Sequence, residues 1–184
     1  MDLVEGILAV EDVDAFVGRL DALGDAHGVT VQAFDARYVV DRRHLERAVE
    51  LADRAIARGE AIARDRAVEV LCYAAGRRQI NRALELGVDA GECPAVVLVD
   101  APPGDGDGED GSDDENDDRV AERERAAAAA VRSMSAFEPA ETLGRFDPER
   151  VRDAFDVNEA ELATVDGDLA RLVHERVALL VVEK

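Results

Sequence analysis

Apolar residues alternate loosely with polar ones from Leu3 to Val10, and again from Val29 to Phe34 with several β-branched residues, which predicts two strands. Between them Val13, Phe16, Val17 and Leu20 recur at helical spacing behind Asp12, a good N-cap, and that helix should end near Gly24. Asp41 is placed to open a longer helix reaching Arg58, with Leu45, Ala48, Val49, Ala52 and Ile56 as its inner stripe and Gly59 as its stop. From Ala67 to Ala75 nearly every position is apolar, Glu69 excepted, so this helix should be buried on most sides rather than along one face. Gly76 can end it in the left-handed conformation, and a second helix from Arg78 to Leu86 carries Ile80, Ala83 and Leu84 inward before Gly87.

Further along, the continuous apolar run Ala95–Val99 predicts a buried strand, stopped by Pro102 and Pro103. Arg119 to Met134 is helical by its alanine content. Phe137 and Phe146 anchor a connecting segment, and Asp147-Pro148-Glu149 starts a helix that continues to Phe155. A short turn follows at Glu159–Leu162, and a last helix from Asp168 carries Leu169, Leu172, Val173 and Val177. The apolar end Val177–Val182 fits either the final turns of that helix or a strand. The expected fold is one α/β (α+β) domain over residues 1–184: a small antiparallel or mixed sheet of the strands near Leu3, Val29 and Ala95, flanked by helices.

Composition changes the picture in one respect. With 42 acidic residues against 22 basic ones, the net charge is -20. Lys184 is the sole lysine and aromatics make up only 4%. Excess carboxylate, arginine in place of lysine and many small apolar residues suggest adaptation to a salt-rich cytoplasm, where ions screen the self-repulsion. Broad duplex binding is disfavoured, because backbone affinity comes from basic residues and falls with salt. Residues 104–118 are almost entirely Asp, Glu and Gly, and are expected to form a disordered acidic insert. Asp105, Asp107 and Glu109 resemble a calcium loop, but Asp110 stands where that loop needs glycine and Asn116 where it needs glutamate, so no metal site is assigned. Cys72 and Cys93 have no metal spacing and are expected as buried thiols. No apolar run approaches the length that spans a bilayer and no secretory leader is recognisable, so a cytoplasmic protein without a membrane partner is expected.

Candidate chemistry concentrates at the Gly76 corner. Five arginines (Arg64, Arg66, Arg77, Arg78, Arg82) fall between positions 64 and 82 against Asp65 and Glu69, a positive island in an acidic chain. Free N–H groups at the start of the second helix favour an anion, and an arginine fork suits phosphate oxygens. Tyr73 has the shape to stack on a base, and Gln79 can hydrogen-bond. The alternative is that Arg77 and Arg78 pair with carboxylates and Tyr73 belongs to the core. His44, beside the inner stripe of its helix, is expected to be packed or hydrogen-bonded rather than a ligand.

The runs Phe34-Asp35-Ala36-Arg37-Tyr38-Val39-Val40, His44-Leu45 with Ala48-Val49, and Val68 to Ile80 through Ala75-Gly76-Arg77-Arg78-Gln79 follow one another in an order and spacing that carry a family pattern. The pattern returns in Glu175-Arg176-Val177-Ala178-Leu179-Leu180. The chain resembles the TPRKB-like small accessory subunit of the KEOPS complex, of an archaeal, salt-adapted type. The resemblance implies a non-catalytic subunit that binds the small atypical kinase subunit. It further implies that the subunit brings tRNA, by its single-stranded 3′ end, to the machinery that adds threonylcarbamoyl to an adenosine next to the anticodon. Taken with the chemistry of the Gly76 corner, this puts the expected RNA contacts at Tyr73, Gly76, Arg77, Arg78 and Gln79, and the resemblance itself concerns the partners. It also places the kinase contact on helical surface around Leu172, Arg176 and Leu179, unless Leu172 and Leu179 are internal core.

Enzyme motifs are not evident in the sequence: no glycine is followed by Gly-Lys-Ser/Thr, and Ser112, Ser133 and Ser135 lack a nucleophile's context. No catalytic residue and no cofactor are assigned. The second function class is a domain, or an enzyme, that binds a small ligand or nucleotide phosphate with Arg77 and Arg78 as the clamp. A third is a pure scaffold.

Overall fold

In the computed structural model, which describes residues 1–104 and 113–181, the alternating segments form β1 (Asp2–Val10) and β2 (Thr30–Asp35), and the apolar run before the prolines forms β3 (Gly91–Asp100). Phe137–Pro139 adds a short β4 where the sequence had suggested only a connecting segment. Three residues are too few to show a period of two, and this strand exists because Gly6 lets it approach. A Cβ at Gly6 would lie 2.5 Å from the Phe137 ring and from the Glu138 carbonyl. All pairings are antiparallel, in the order β2-β3-β1-β4.

The hydrogen-bond alternation of this sheet explains Pro94 inside a central strand. Ala9 donates to the Ala136 carbonyl, and Glu5 accepts from Ala140, both on the β4 side. Gly6 and Leu8 must therefore turn their backbone groups toward β3. Carried through the pairs Gly6↔Ala95 and Phe34↔Val96, the alternation aims Ala95 at β1, and Pro94 and Val96 toward β2. The β2 ladder begins only at Asp35↔Ala95, so the missing N–H of Pro94 points past its end and costs no ladder bond. This is also why β3 extends back to Gly91 rather than starting at Ala95: β1 pairs with it over the full length.

Helices cover both faces. On one, Val4, Leu8, Val31, Ala33, Val97 and Val99 pack beneath α1 (Val13–His27) and the alanines of α5 (Asp113–Arg132). On the other, Phe34, Val96 and Leu98 pack beneath α2 (Arg42–Ala57), α3 (Arg66–Ala75) and the C-terminal helices α6 (Pro148–Ala154) and α8 (Leu169–Leu179). The short α4 (Ile80–Ala83) and α7 (Glu159–Thr164) complete the set among the described residues. Asp12, Asp41, Asp147 and Asp168, at the helix starts expected from the sequence, each accept a backbone N–H from the first turn, and Asp65 caps α3 in the same way. Asn158 and Glu161 form a reciprocal capping box on α7.

Several expectations shift in detail. Val17 is 44% exposed, because α1 packs through Phe16, Leu20 and Gly24, a four-residue row that leaves Val17 about 100° to one side. Ile56 is likewise exposed, the last turn of α2 burying Ala52 and Ala55 instead. The second helix of the corner is only α4 and a 3-10 turn at 84–86, not a continuous helix from Arg78. Helix α5 starts at Asp113 rather than Arg119. Of the expected acidic insert at 104–118, residues 105–112 lie outside the described residues. The apolar end is helical through Leu179.

Candidate functional site: the Gly76 corner and its arginine-rimmed cavity

Helix α3 is the most enclosed helix of the fold, buried from Ala67 to Ala75 apart from Val68. Its one charged inner residue, Glu69, is fully buried, and one carboxylate oxygen accepts the Ile62 and Ala63 N–H groups at 2.9 and 2.7 Å. Glu69 thereby fixes the loop that joins α2 to α3. Its second oxygen has no hydrogen-bond partner. Cys72 is also enclosed, and burial followed by the Glu69 charge pushes its thiol up to about 11, which keeps it protonated and unreactive.

Gly76 ends α3 at φ +60°, with Arg77 N–H donating to the Cys72 carbonyl and Gly76 N–H to the Tyr73 carbonyl, both at 3.0 Å. A Cβ on Gly76 would stand 3.4 Å from the Arg176 backbone, so the corner rests directly on α8. The residues around it then separate into different tasks. Arg77 turns toward α6: Nη2 donates to the Ala154 carbonyl at 2.7 Å and pairs with Asp156 at 2.5 Å. That is the carboxylate pairing weighed against the phosphate reading. Arg78 and Gln79 are exposed, and Gln79 occupies the N-cap of α4 without a side-chain bond. Because α4 is a single turn, its dipole supplies little of the anion attraction expected for the corner.

Tyr73 is only 4% exposed, so it belongs to the core rather than to an open stacking platform. Burial and then the Glu69 charge raise its phenol above the ordinary range. Its edge nevertheless forms part of a cavity of about 320 Å³, together with Arg78 and with Arg54, Arg58 and Ala55 from the end of α2. Arg54, Arg58, Glu60 and Arg78 are exposed at its rim, Arg54 being paired with Glu50 at 2.6 Å. Three arginines and one carboxylate, Glu60, thus line one concavity on a molecule of net charge -20. Arg54 and Arg58 were not singled out from the sequence. Their i,i+4 spacing announces a shared helix face, but only the packing of α2 on α3 brings that face to Arg78.

Of the three residues expected to face a kinase, Leu172 is 4% exposed and belongs to the core, since α8 packs through it together with Leu169, Val173 and Val177. Arg176 is engaged within the molecule, with Nε donating to the Phe155 carbonyl at 3.3 Å and Nη2 pairing with Glu161 at 2.5 Å. Leu179, 38% exposed, presents apolar surface. His44 behaves as a packed histidine: it is fully buried, edge-on to Phe155, with Nε2 2.7 Å from the Ala74 carbonyl. Among the described residues no group of three or more His, Cys, Asp or Glu side chains is placed to hold a metal ion, and no helix is long and apolar enough to cross a membrane.

No curated protein matches the chain. A family model described as kinase binding protein CGI-121 matches residues 19–180, which takes in β2, β3 and β4, the Gly76 corner and all of α8. The chain therefore belongs to the CGI-121 family of kinase-binding proteins, the family of the TPRKB-like KEOPS subunit.

Proposed function

We propose that this kinase-binding protein serves as the KEOPS subunit that brings tRNA, through its single-stranded 3′ end, to threonylcarbamoylation of the adenosine beside the anticodon, without itself being a catalyst. The observation that carries the reading is the convergence of Arg54, Arg58 and Arg78 on the cavity beside Tyr73. Arg78 and the α2 arginines contact terminal phosphates and Gln79 offers a hydrogen bond, while the ring edge of Tyr73, held in the core, shapes the cavity wall. Gly76 and Arg77 act beneath them: the glycine permits the turn, and the Arg77 guanidinium ties the corner to α6. A few close contacts of this kind persist at salt concentrations that abolish long-range attraction to a phosphate backbone. The kinase contact on α8 centres on Leu179, with Leu172 supporting it from the core and Arg176 holding α8 to α7.

The experiment is binding of labelled tRNA, with and without its 3′ single strand, at high salt. If the wild type binds intact tRNA, and either trimming the 3′ end or the change Arg54→Ala/Arg58→Ala/Arg78→Ala abolishes binding, the cavity is the RNA site. Equal binding by all combinations, or none, removes the RNA reading and leaves the kinase contact as the function. Competition by a free nucleoside phosphate with no effect of the 3′ end would instead support a small-ligand clamp at the same arginines.

A further inference from the structure

A second concavity, of about 580 Å³, lies between α2 and α8, with Arg43, Glu46, Arg47 and Glu50 on one side and His174 and Ala178 on the other. The cavity beside Tyr73 uses the next turns of the same two walls, Arg54 and Arg58 from α2 and Val181 just past the end of α8. Positions 43, 47, 50, 54 and 58 advance by four, three, four and four residues, so they form one row within about 80° of the helix circumference. The two concavities are therefore two lengths of one trough, about 22 Å from Arg43 to Arg58 at a rise of 1.5 Å per residue. Its ends differ. Only α2 and α8 wall the Arg43 end, whereas Glu60, Tyr73 and Arg78 bring in the α2–α3 loop, α3 and the Gly76 corner as further walls at the other.

Charge along the trough runs against the rest of the molecule. The chain has 42 acidic residues against 22 basic ones, yet the trough is lined by five arginines and three glutamates. Glu46 is paired with Arg42, and Glu50 with both Arg47 and Arg54, while Arg43, Arg58 and Arg78 make no ion pair among the described residues. The α8 wall adds no carboxylate: it is small and apolar at Ala178 and Val181, and His174 is tied through Nε2 to Asp41 at 3.0 Å. A row of guanidinium groups facing a wall with one ring and two apolar side chains suits a strand that carries phosphates on one side and bases on the other. We propose that the single strand whose terminal nucleotide sits beside Tyr73 continues along this trough, with its preceding phosphates on Arg47 and Arg43 and a base against the His174 ring. The inference rests on the RNA reading of the cavity and extends it to a second stretch of α2. At about 3.4 Å between the phosphates of a stacked strand, the trough takes about six nucleotides.

The test measures binding of the full chain to single-stranded RNA oligonucleotides that share one 3′ end and are lengthened stepwise to about eight nucleotides, at KCl concentrations that keep the chain folded. Wild-type affinity should rise at least tenfold up to about six nucleotides and then level off. Arg43→Ala/Arg47→Ala should leave the melting temperature within about a degree and the affinity for the shortest oligonucleotide unchanged, while removing most of the rise. For the longest oligonucleotide it should also reduce the slope of log affinity against log salt by about 1.4, at about 0.7 per lost phosphate contact. His174→Ala should lower the rise without changing that slope. Equal wild-type affinity at every length overturns the trough and leaves the cavity as the RNA site, and so does a full rise in the Arg43→Ala/Arg47→Ala variant. Displacement of the RNA by polyglutamate of equal charge at equal concentration also overturns it, assigning the row to an acidic protein segment. Failure of the wild type to bind any length, or intact tRNA, removes the RNA reading of the cavity and this inference together.

Discussion

His44 shows how one enclosed side chain couples the fold to pH. Burial lowers its pKa, the charge of His174 adds to this, and the Ala74 carbonyl and Asp41 partly oppose it; the result is pushed down to about 4 from an ordinary 6.5. The folded state thus holds His44 neutral where the unfolded chain begins to bind a proton. The stabilisation is complete above about pH 6.5 and is lost as pH falls from there toward 4, on the order of 3 kcal/mol in all. Denaturant unfolding measured between pH 7 and 4 should show this decline, and His44→Gln, which can still donate to the Ala74 carbonyl, should flatten it. The two corner arginines provide a contrast. Arg77→Ala removes bonds to Ala154 and Asp156 and should cost about 1 kcal/mol of stability. Arg78→Ala should leave the melting temperature within about a degree, because surface changes rarely exceed a few tenths of a kcal/mol, and should act only on RNA binding.

The loop between α2 and α3 depends on an element rather than on its own sequence. Glu69 reaches out of α3 to satisfy the Ile62 and Ala63 N–H groups, so Glu69→Ala leaves both without their acceptor. A loss of about 3 kcal/mol is expected, with new tryptic cleavage at Arg58 or Arg64 as the direct sign that the loop has come loose. Since Arg58 also stands at the cavity rim, the same substitution should weaken RNA binding without touching an RNA-contacting residue. Strand β4 depends in the same way on Gly6: Gly6→Ala forces a Cβ within 2.5 Å of Phe137 and should detach β4 while leaving the β1–β3 ladder paired, readable as faster exchange of the Ala9 amide that now donates to Ala136.

For the molecule as a whole the dominant fact is 42 acidic residues against 22 basic ones. Added KCl should raise the melting temperature continuously as it screens self-repulsion, and the shift should shrink in variants in which exposed Asp or Glu residues far from any ion pair are made neutral. Charge, caps and helix periodicity are local properties, and so the Asp12, Asp41, Asp147 and Asp168 helix starts, the αL turn at Gly76 and the apolar interior of α3 could be read directly from neighbouring residues. The order and spacing of short motifs likewise carried the family, because they record which residues stand near which along the chain. What could not be read was every fact that depends on elements far apart in sequence. Leu172 and Leu179 look alike on a helical wheel, yet one is core and the other surface, because the packing of α8 selects between them. Arg77 and Arg78 are adjacent, and only the position of α6 makes one a clamp and leaves the other open. The cavity joins Arg54 and Arg58 to Arg78 across the α2–α3 contact. Short-range order follows from the backbone and side-chain preferences of adjacent residues, whereas proximity of distant residues exists only once the apolar faces have been buried against one another.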